Sequence, residues 1–236
     1  MALAAYSSVI KRPSKIHTAT LVFLHGLGDN GHGWSEILWP LLPPYCRLVC
    51  PHAPVRPLTV YGGEQIPAWF DVLARSPSSA VQDPSSVAEA VSSLNRLLAA
   101  EVAALPSTGR LLLGGFSQGG ALALYAGLAG GLSCRLAGLV GLSCYLPLME
   151  QAYGKTECGV ASGSGQSQPP VFLAHGDADE VVLPERSRAA GQLMREKLGV
   201  TDLRYHVYPG LEHCNGNQEM ADLKDFIWSV LSEKQP

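Results

Sequence analysis

The sequence has little charge and no long apolar run, and each shortage excludes a class of protein. Charged residues make up 16% of the 236 positions, and the formal net charge is −3. Because basic residues are neither in excess nor clustered, nucleic acid is not an expected partner. No uninterrupted apolar stretch approaches the ~18 residues of a membrane-spanning helix. We therefore expect no transmembrane segment and at most peripheral contact with a membrane.

Cysteine is also scarce, and its spacing excludes two further kinds of site. The six cysteines are spread along the chain, and none forms a Cys-x-x-Cys pair. Neither a zinc site nor a thioredoxin-type motif is indicated. The first residues lack a basic stretch followed by an apolar core, so no secretory signal is indicated. These features predict reduced thiols and a cytoplasmic protein.

What the sequence does contain is an alternation of short apolar runs with longer helical patterns. The runs are continuous rather than alternating, which is typical of strands buried on both faces of a parallel sheet. The alternation predicts an α/β fold with a doubly wound, mostly parallel sheet flanked by helices. The predicted strands are residues 20–24, 47–50, 110–113, 136–142, 171–174 and 203–208, and the predicted helices include residues 117–128, 184–198 and 218–231.

We expect a single domain over residues 1–236. Residues 1–18 form an N-terminal segment in this prediction, and residues 154–170, rich in Gly, Ser and Gln, form a flexible surface loop. A further helix begins with Asp83 as its capping residue and Pro84 at its first position. Its predicted apolar face consists of Val87, Val91, Leu94, Leu98 and Val102.

The stretch Gly115-Phe116-Ser117-Gln118-Gly119 lies between a predicted strand and a predicted helix. The Gly-x-Ser-x-Gly pattern is weak by itself, because chance gives roughly 0.2 matches in a chain of this composition. A plain glycine-rich turn is the alternative. The strand before it and the helix after it favour a nucleophile elbow, in which a sharp turn exposes the hydroxyl of Ser117.

A serine nucleophile needs a base that takes its proton and a carboxylate that orients the base. Three histidines follow Ser117 in the chain. His206 lies inside a predicted strand and is expected to pack, and His175 lies at the end of a strand, too early if the acid follows it. His213 lies in a loop before the last predicted helix and is the favoured base.

Asp177, Asp179 and Glu180 compete for the role of the acid in the loop after residues 171–174. Asp179 is favoured over Asp177, because Asp179 lies further from the strand, where the chain turns towards the next helix. This preference also rests in part on a resemblance to a known family, which the motifs quoted below carry. Asp177 is expected to cap the turn in that case.

The developing oxyanion needs two N–H donors. The N–H of Gln118, at a helix N-terminus, is one candidate, and the N–H of Leu27, in the glycine-rich loop after residues 20–24, is the other. An ordinary glycine loop is the alternative for this loop. A metal site formed by His25, Asp29 and His32 is disfavoured, because the surrounding glycines and short residues give no firm ligand scaffold.

Seven short motifs stand out along the chain: Phe23-Leu-His-Gly-Leu-Gly-Asp-Asn-Gly-His-Gly-Trp34, Cys50-Pro-His-Ala-Pro54, Trp69-Phe-Asp71, Leu113-Gly-Gly-Phe-Ser-Gln-Gly-Gly-Ala-Leu122, Leu142-Ser-Cys-Tyr-Leu-Pro147, His175-Gly-Asp-Ala-Asp179 and Gln218-Glu-Met220. In their residues and their order, these motifs resemble the acyl-protein thioesterase (lysophospholipase-like carboxylesterase) family. The resemblance implies an α/β-hydrolase fold, no cofactor, a triad of Ser117, Asp179 and His213, and oxyanion donors at Leu27 and Gln118. It also implies acyl substrates, either acylated proteins or small acyl esters.

The chain departs from the family before Trp69-Phe70-Asp71, where residues 58–67 are more polar and contain two glycines. We interpret this segment as a possible lid that limits the acyl chain to short or medium length. Trp69, Phe70 and Leu73 are candidates for the lining of the acyl site, with core packing as the alternative. Three rival functions are a short-chain carboxylesterase or deacetylase with the same triad, a non-catalytic binding protein and, third, a peptidase.

Overall fold

A seven-stranded, mostly parallel sheet lies at the centre of the fold. The structure, a computed structural model, describes residues 6–76, 79–129, 131–149 and 168–232. The strands are β1 (Ser8–Lys11), β2 (Ala19–Leu24), β3 (Cys46–Pro51), β4 (Val55–Leu58), β5 (Glu64–Pro67), β6 (Val72–Ser76), β7 (Ser79–Gln82), β8 (Arg110–Phe116), β9 (Gly138–Leu142), β10 (Val171–Gly176) and β11 (Leu203–Tyr208). The helices are α1 (Gly31–Leu38), α2 (Pro84–Ala103), α3 (Gln118–Leu128), α4 (Pro184–Glu196) and α5 (Asn217–Leu231), and 3-10 turns cover Trp39–Leu41 and Thr59–Tyr61.

The strand order of the central sheet is β1-β3-β2-β8-β9-β10-β11. All neighbouring pairs are parallel except β1 with β3, which are antiparallel from Ser8 opposite Pro51 to Lys11 opposite Leu48. β1 was not predicted, because four residues of mixed polarity give no clear periodicity. Part of the predicted N-terminal segment therefore belongs to the sheet.

Helices cover both faces of the sheet, which confirms the predicted doubly wound α/β fold. Apolar side chains of α2, α3 and α4 pack on one face. Those of α1 and α5 pack on the other. The predicted face of α2 is buried at Val87, Val91, Leu94 and Leu98, but Val102 is 39% exposed because it lies in the last turn of the helix.

The sequence did not predict α1 or the two hairpins. Residues 25–33 were interpreted as a loop, yet α1 begins at Gly31, where the side chain of Asn30 accepts a hydrogen bond from the His32 N–H. The short strands β4 and β5 form one antiparallel hairpin, and β6 and β7 form another. Both hairpins precede α2 and contribute side chains to the cavity at Ser117.

The remaining boundaries shift by a few residues. The strands β2, β3, β8 and β10 are longer than predicted, β9 begins two residues later, and α4 ends at Glu196 instead of residue 198. Of the predicted surface loop, residues 154–167 lie outside the described residues. Within the described ranges, no helix is long and apolar enough to cross a membrane.

Candidate active site

Ser117 occupies the sharp turn between β8 and α3, as the motif predicts. Its backbone has φ 52° and ψ −120°, a conformation that residues other than glycine rarely adopt. The N–H of Ser117 donates to the carbonyl of Leu142 at 2.9 Å, which ties the turn to the neighbouring strand β9. Such local strain at a half-buried serine that faces a cavity is the geometry of a nucleophile elbow.

Glycine on both sides of Ser117 lets the strand and the helix approach closely. A Cβ atom at Gly115 would lie 2.6 Å from the carbonyl oxygen of Gly119. A Cβ atom at Gly119 would collide with the carbonyl oxygens of Leu24 and His25. The two glycines of the motif are therefore required by packing at this turn.

Three side chains that are distant in sequence form one hydrogen-bonded chain. His213 Nε2 lies 3.0 Å from Ser117 Oγ, across 96 positions of sequence, and His213 Nδ1 lies 2.7 Å from Asp179 Oδ2. Because a carboxylate only accepts hydrogen bonds, Nδ1 carries the proton and leaves Nε2 to accept from the serine hydroxyl. The structure thus brings together the predicted nucleophile, base and acid.

Asp179 is buried, with 2% of its surface exposed, and both of its oxygens are engaged. Oδ1 accepts the N–H groups of Val181 and Val182, each at 2.9 Å. Burial raises the pKa of this carboxyl, but the hydrogen bonds from His175, His213 and the Val182 N–H outweigh burial and hold the pKa well below its usual range. Asp179 is therefore ionised opposite His213.

The competing acids face elsewhere. Asp177 is exposed, and its carboxylate accepts the N–H of Gly210 at 2.6 Å, in the turn after β11 and not in its own turn, where the sequence predicts a cap. Glu180 is exposed. The half-buried His206 stacks on the ring of Phe172 at a centroid distance of 5.3 Å, in agreement with the prediction that it packs.

His175 supports Asp179, a role that the sequence did not predict. The imidazole is fully buried, and its Nε2 lies 2.7 Å from the carbonyl oxygen of Val182 and 3.2 Å from Asp179 Oδ2. Both neighbours are acceptors, so Nε2 carries a proton and donates. The sequence held one signal for this role, because His175 lies at the end of a buried strand and four residues before Asp179.

Leu27 and Gln118 both line the cavity that contains Ser117. Their N–H groups make no hydrogen bond to another residue in the described part of the chain. The Gln118 N–H lies at the N-terminus of α3, where the helix dipole favours negative charge. Both predicted oxyanion donors are therefore free to bind an oxygen of a ligand.

Trp69 connects the two halves of this candidate oxyanion hole. Its indole Nε1 donates to the carbonyl of His25 at 2.8 Å, on the loop that carries Leu27. Its backbone N–H donates to Gln118 Oε1 at 2.9 Å, and Gln118 Nε2 donates to the carbonyl of Phe70 at 2.9 Å. Trp69 and Phe70 thus fix the loop and the Gln118 side chain relative to each other.

The structure does not place the three predicted acyl-site residues in the cavity wall. Trp69 and Phe70 are 1% and 0% exposed and pack in the core, and Leu73 is 42% exposed on β6. None of the three is among the described residues that line the cavity at Ser117. Core packing, the alternative for these residues, describes Trp69 and Phe70.

The cavity at Ser117 has a volume of about 330 Å³. Besides the triad serine and histidine, its wall includes Val60, Tyr61, Val72, Arg75, Ala80, Tyr145, Val181, Val182 and Arg186. A larger cavity, about 840 Å³, lies around Arg110 and Leu111 at the opposite end of β8 and contains no triad residue. The smaller cavity is therefore the candidate site.

The disfavoured metal site has no free ligand at His25. Its Nδ1 lies 2.7 Å from the Gly26 carbonyl, and its Nε2 accepts the N–H of Ala53 at 3.0 Å. Across the described ranges, no three His, Cys, Asp or Glu side chains are grouped so that they could hold a metal ion.

The arrangement is that of an α/β hydrolase: a parallel sheet has a strained serine after one strand, and an acid and a histidine follow later strands. The chain belongs to the phospholipase/carboxylesterase family, whose model matches residues 5–231. This match confirms the resemblance that the motifs indicated.

The names of similar proteins agree with this membership. An acyl-protein thioesterase 1 of Neurospora crassa is 32% identical over 94% of this chain and 93% of its own length. An acyl-protein thioesterase 1 of Cryptococcus neoformans is 34% identical over 93% of this chain and 95% of its own. The crystal structure of Zea mays acyl-protein thioesterase 2 is 31% identical, with a TM-score of 0.87, and the match covers 96% of this chain and 100% of that one.

Proposed function

We propose that the chain is a serine hydrolase that cleaves acyl thioesters and carboxyl esters. The observation that carries this proposal is the hydrogen-bonded chain from Ser117 through His213 to Asp179, built on a strained strand-to-helix turn. His213 removes the proton of Ser117 Oγ as that oxygen attacks the acyl carbon. Asp179 keeps the imidazole in the required tautomer and stabilises the imidazolium that forms.

The N–H groups of Leu27 and Gln118 bind the negative oxygen of the tetrahedral intermediate. His213 then returns its proton to the departing sulfur or oxygen, which leaves an acyl group on Ser117. A water molecule, deprotonated by His213, releases the acid and restores the serine. The common position of Leu27, Ser117, Gln118 and His213 around one cavity supports this order of steps.

The substrates that we propose are acylated proteins or small acyl esters, because the relatives named above are acyl-protein thioesterases. A non-catalytic binding protein is disfavoured by the intact triad geometry, and nothing favours a peptidase. A cytoplasmic location stays a prediction from the sequence.

Replacing the nucleophile tests the reaction. We expect Ser117→Ala to abolish labelling by a fluorophosphonate probe and to lower turnover at least ~10³-fold, because the triad acts as a unit. Ser92→Ala, which removes an exposed hydroxyl on α2, serves as the control and should label fully. Full labelling of Ser117→Ala at another serine would overturn the assignment of the nucleophile.

The size of the cavity favours a second candidate, a carboxylesterase for short or medium acyl chains. Its volume of about 330 Å³ lies at the small end of ligand pockets, which span about 300 to 1,000 Å³. The hairpin of residues 58–67, interpreted as a lid, contributes Val60 and Tyr61 to the wall. It is fixed at its base, where the Gly28 N–H donates to the Pro67 carbonyl at 2.8 Å.

A series of esters of increasing chain length tests this candidate. Each buried methylene contributes about 0.8 kcal/mol, or roughly fourfold in kcat/KM, as long as the cavity accepts it. We expect the gain to stop at short or medium chains. A steady gain through to palmitoyl esters, measured below their micelle concentrations, would contradict the limit and favour an open channel.

A further inference from the structure

The wall of the cavity at Ser117 carries two arginine side chains without an acidic partner. Arg75 comes from β6, and Arg186 comes from the first turn of α4. Neither guanidinium forms an ion pair with a carboxylate of the residues that the structure describes. Guanidinium groups bind carboxylates strongly through paired hydrogen bonds. Two of them are therefore available to an anionic group in the cavity.

Arg186 is held in an environment that is unfavourable for a cation. Its guanidinium carbon lies 3.7 Å from the centre of the Tyr145 ring, and the side chain is half-buried. Burial lowers the pKa of Arg186, Tyr145 opposes this effect through its charge and a hydrogen bond, and the charge of Arg75 lowers the pKa further. The first turn of a helix also disfavours positive charge. A bound anion would offset all three effects, and the stacking on Tyr145 keeps the guanidinium oriented for it.

Arg75 faces the cavity because of an irregularity in β6. Val72 and Arg75 are three residues apart, so a regular strand would place them on opposite faces. The pairing of β6 with β7 shifts register between Val72 and Ala74, and such a bulge rotates the following side chains. Arg75 then donates to the hydroxyl of Tyr61 at 3.3 Å and to the carbonyl of Val181 at 3.0 Å.

The rest of this wall is suited to the acyl side of a substrate. Val60, Val72, Val181 and Val182 supply apolar surface next to the two guanidinium groups. The same cavity includes one carboxylate, Asp29, which lies on the β2–α1 loop that carries Leu27, and not on the elements that carry the arginines. A short acyl chain with a negatively charged end matches this wall, with its apolar part against the valines and its charged end at the two guanidinium groups.

We propose that the cavity binds an acyl group that ends in a carboxylate, with Arg186 and Arg75 binding that carboxylate while Ser117 attacks the acyl carbon. The inference rests on the proposed hydrolase function. Ser117 Oγ forms the new acyl bond as the C–S or C–O bond of the substrate breaks, and the leaving group takes the proton from His213. Water then cleaves the acyl-enzyme and yields a dicarboxylate.

Matched thioesters test the proposal on the whole chain. The first pair, hexanoyl and adipoyl thioesters of N-acetylcysteamine, differs only in the terminal carboxylate of the acyl group. The second pair carries the same hexanoyl group on N-acetylcysteamine and on mercaptosuccinate, which places the negative charge on the leaving group. We expect kcat/KM for adipoyl to exceed that for hexanoyl by about tenfold, the effect of one hydrogen bond to a charged group.

Variants assign the preference to the arginines. In Arg186→Met and in Arg75→Gln the ratio of adipoyl to hexanoyl kcat/KM should fall to about one, because the charge that binds the carboxylate is lost. Arg188→Met is the matched control on α4: Arg188 is 61% exposed and pairs with Glu185 at 3.6 Å, so the ratio should not change. The ratio is insensitive to a general loss of folded protein, since both substrates report on the same sample.

Four results would overturn the proposal. The first is an equal kcat/KM for the adipoyl and hexanoyl thioesters in the natural protein, and the second is an adipoyl preference that survives both substitutions. The third is that Arg188→Met lowers the ratio of adipoyl to hexanoyl kcat/KM as much as the other two variants do. The fourth is a preference only for the negative charge on the mercaptosuccinate leaving group. If the natural protein and Ser117→Ala cleave the hexanoyl thioester equally slowly, the proposed hydrolase function fails instead. The two failures are therefore distinguishable.

Discussion

Replacing Glu219 by glutamine should change how the free energy of unfolding depends on pH. Glu219 lies in the first turn of α5 and is 1% exposed. Its Oε2 accepts the N–H of Gly216 at 3.3 Å, whereas Oε1 is buried with no partner among the described residues. Burial raises the pKa of Glu219 to about 7, against opposing effects of the Gly216 N–H and His175.

The sign of the effect follows from proton binding. Between about pH 4.5 and pH 7 the folded state holds a proton on Glu219 that the unfolded state has released. The contribution of Glu219 to stability is therefore fully present below the pKa that Glu219 has in the unfolded state. It is lost as the pH rises through the pKa that Glu219 has in the folded state. A difference of about 2.5 pKa units corresponds to about 3 kcal/mol at 1.36 kcal/mol per unit.

Chemical denaturation at about pH 5, 6, 7 and 8 measures this contribution. The difference in unfolding free energy between the natural protein and Glu219→Gln should shift by about 2.5 kcal/mol in favour of the variant between the two extremes, because a small part of the change lies below about pH 5. Asp225→Asn is the control, because Asp225 is an exposed acid on the same helix. A difference that is independent of pH, or that changes in the opposite direction, would refute the reasoning.

Two further predictions concern the site itself. Asp179→Asn should lower kcat by about 10³- to 10⁴-fold, because the amide no longer fixes the imidazole tautomer. Asp177→Asn should have a far smaller effect on kcat. If steady-state kinetics rank the two variants the other way, the acid is misassigned. Trp69→Phe should lower kcat by about tenfold and stability by about 1 kcal/mol, because the His25 carbonyl loses its donor. Trp228→Phe is the matched control, since its indole donates to the Leu41 carbonyl at the surface. Equal kinetic effects of the two tryptophan substitutions would contradict the positioning role of Trp69.

The positions of Ser117, Asp179 and His213 could be predicted because all three follow predicted strands. The carboxyl ends of parallel strands meet at one edge of the sheet, so the order of elements predicts that the three loops lie together. The choice of Asp179 over Asp177 within its loop also rested on the family resemblance. The glycines around Ser117 added a local signal, because only a residue without a Cβ allows the close approach of β8 and α3. These parts of the site depend on chain order and backbone geometry.

The parts that were missed depend on tertiary contacts. An aromatic residue looks the same in sequence whether it packs in a core or lines a cavity, so the sequence left Trp69 and Phe70 open between the acyl site and the core. Strands of four residues, such as β4 and β7, are too short to show a periodicity. The contact of His175 with Asp179 depends on how one loop folds back on its own strand.

The distance in sequence between the members of the triad has a consequence for experiments on folding. Ser117 and His213 are 96 positions apart and are carried by different strands of the sheet, so their contact exists only when β8 through β11 have assembled. Covalent labelling of the serine is therefore a measure of the population of assembled sheet. In a denaturant titration the labelled fraction should follow the global unfolding transition, and a local helix probe that changes earlier would identify an element that unfolds independently.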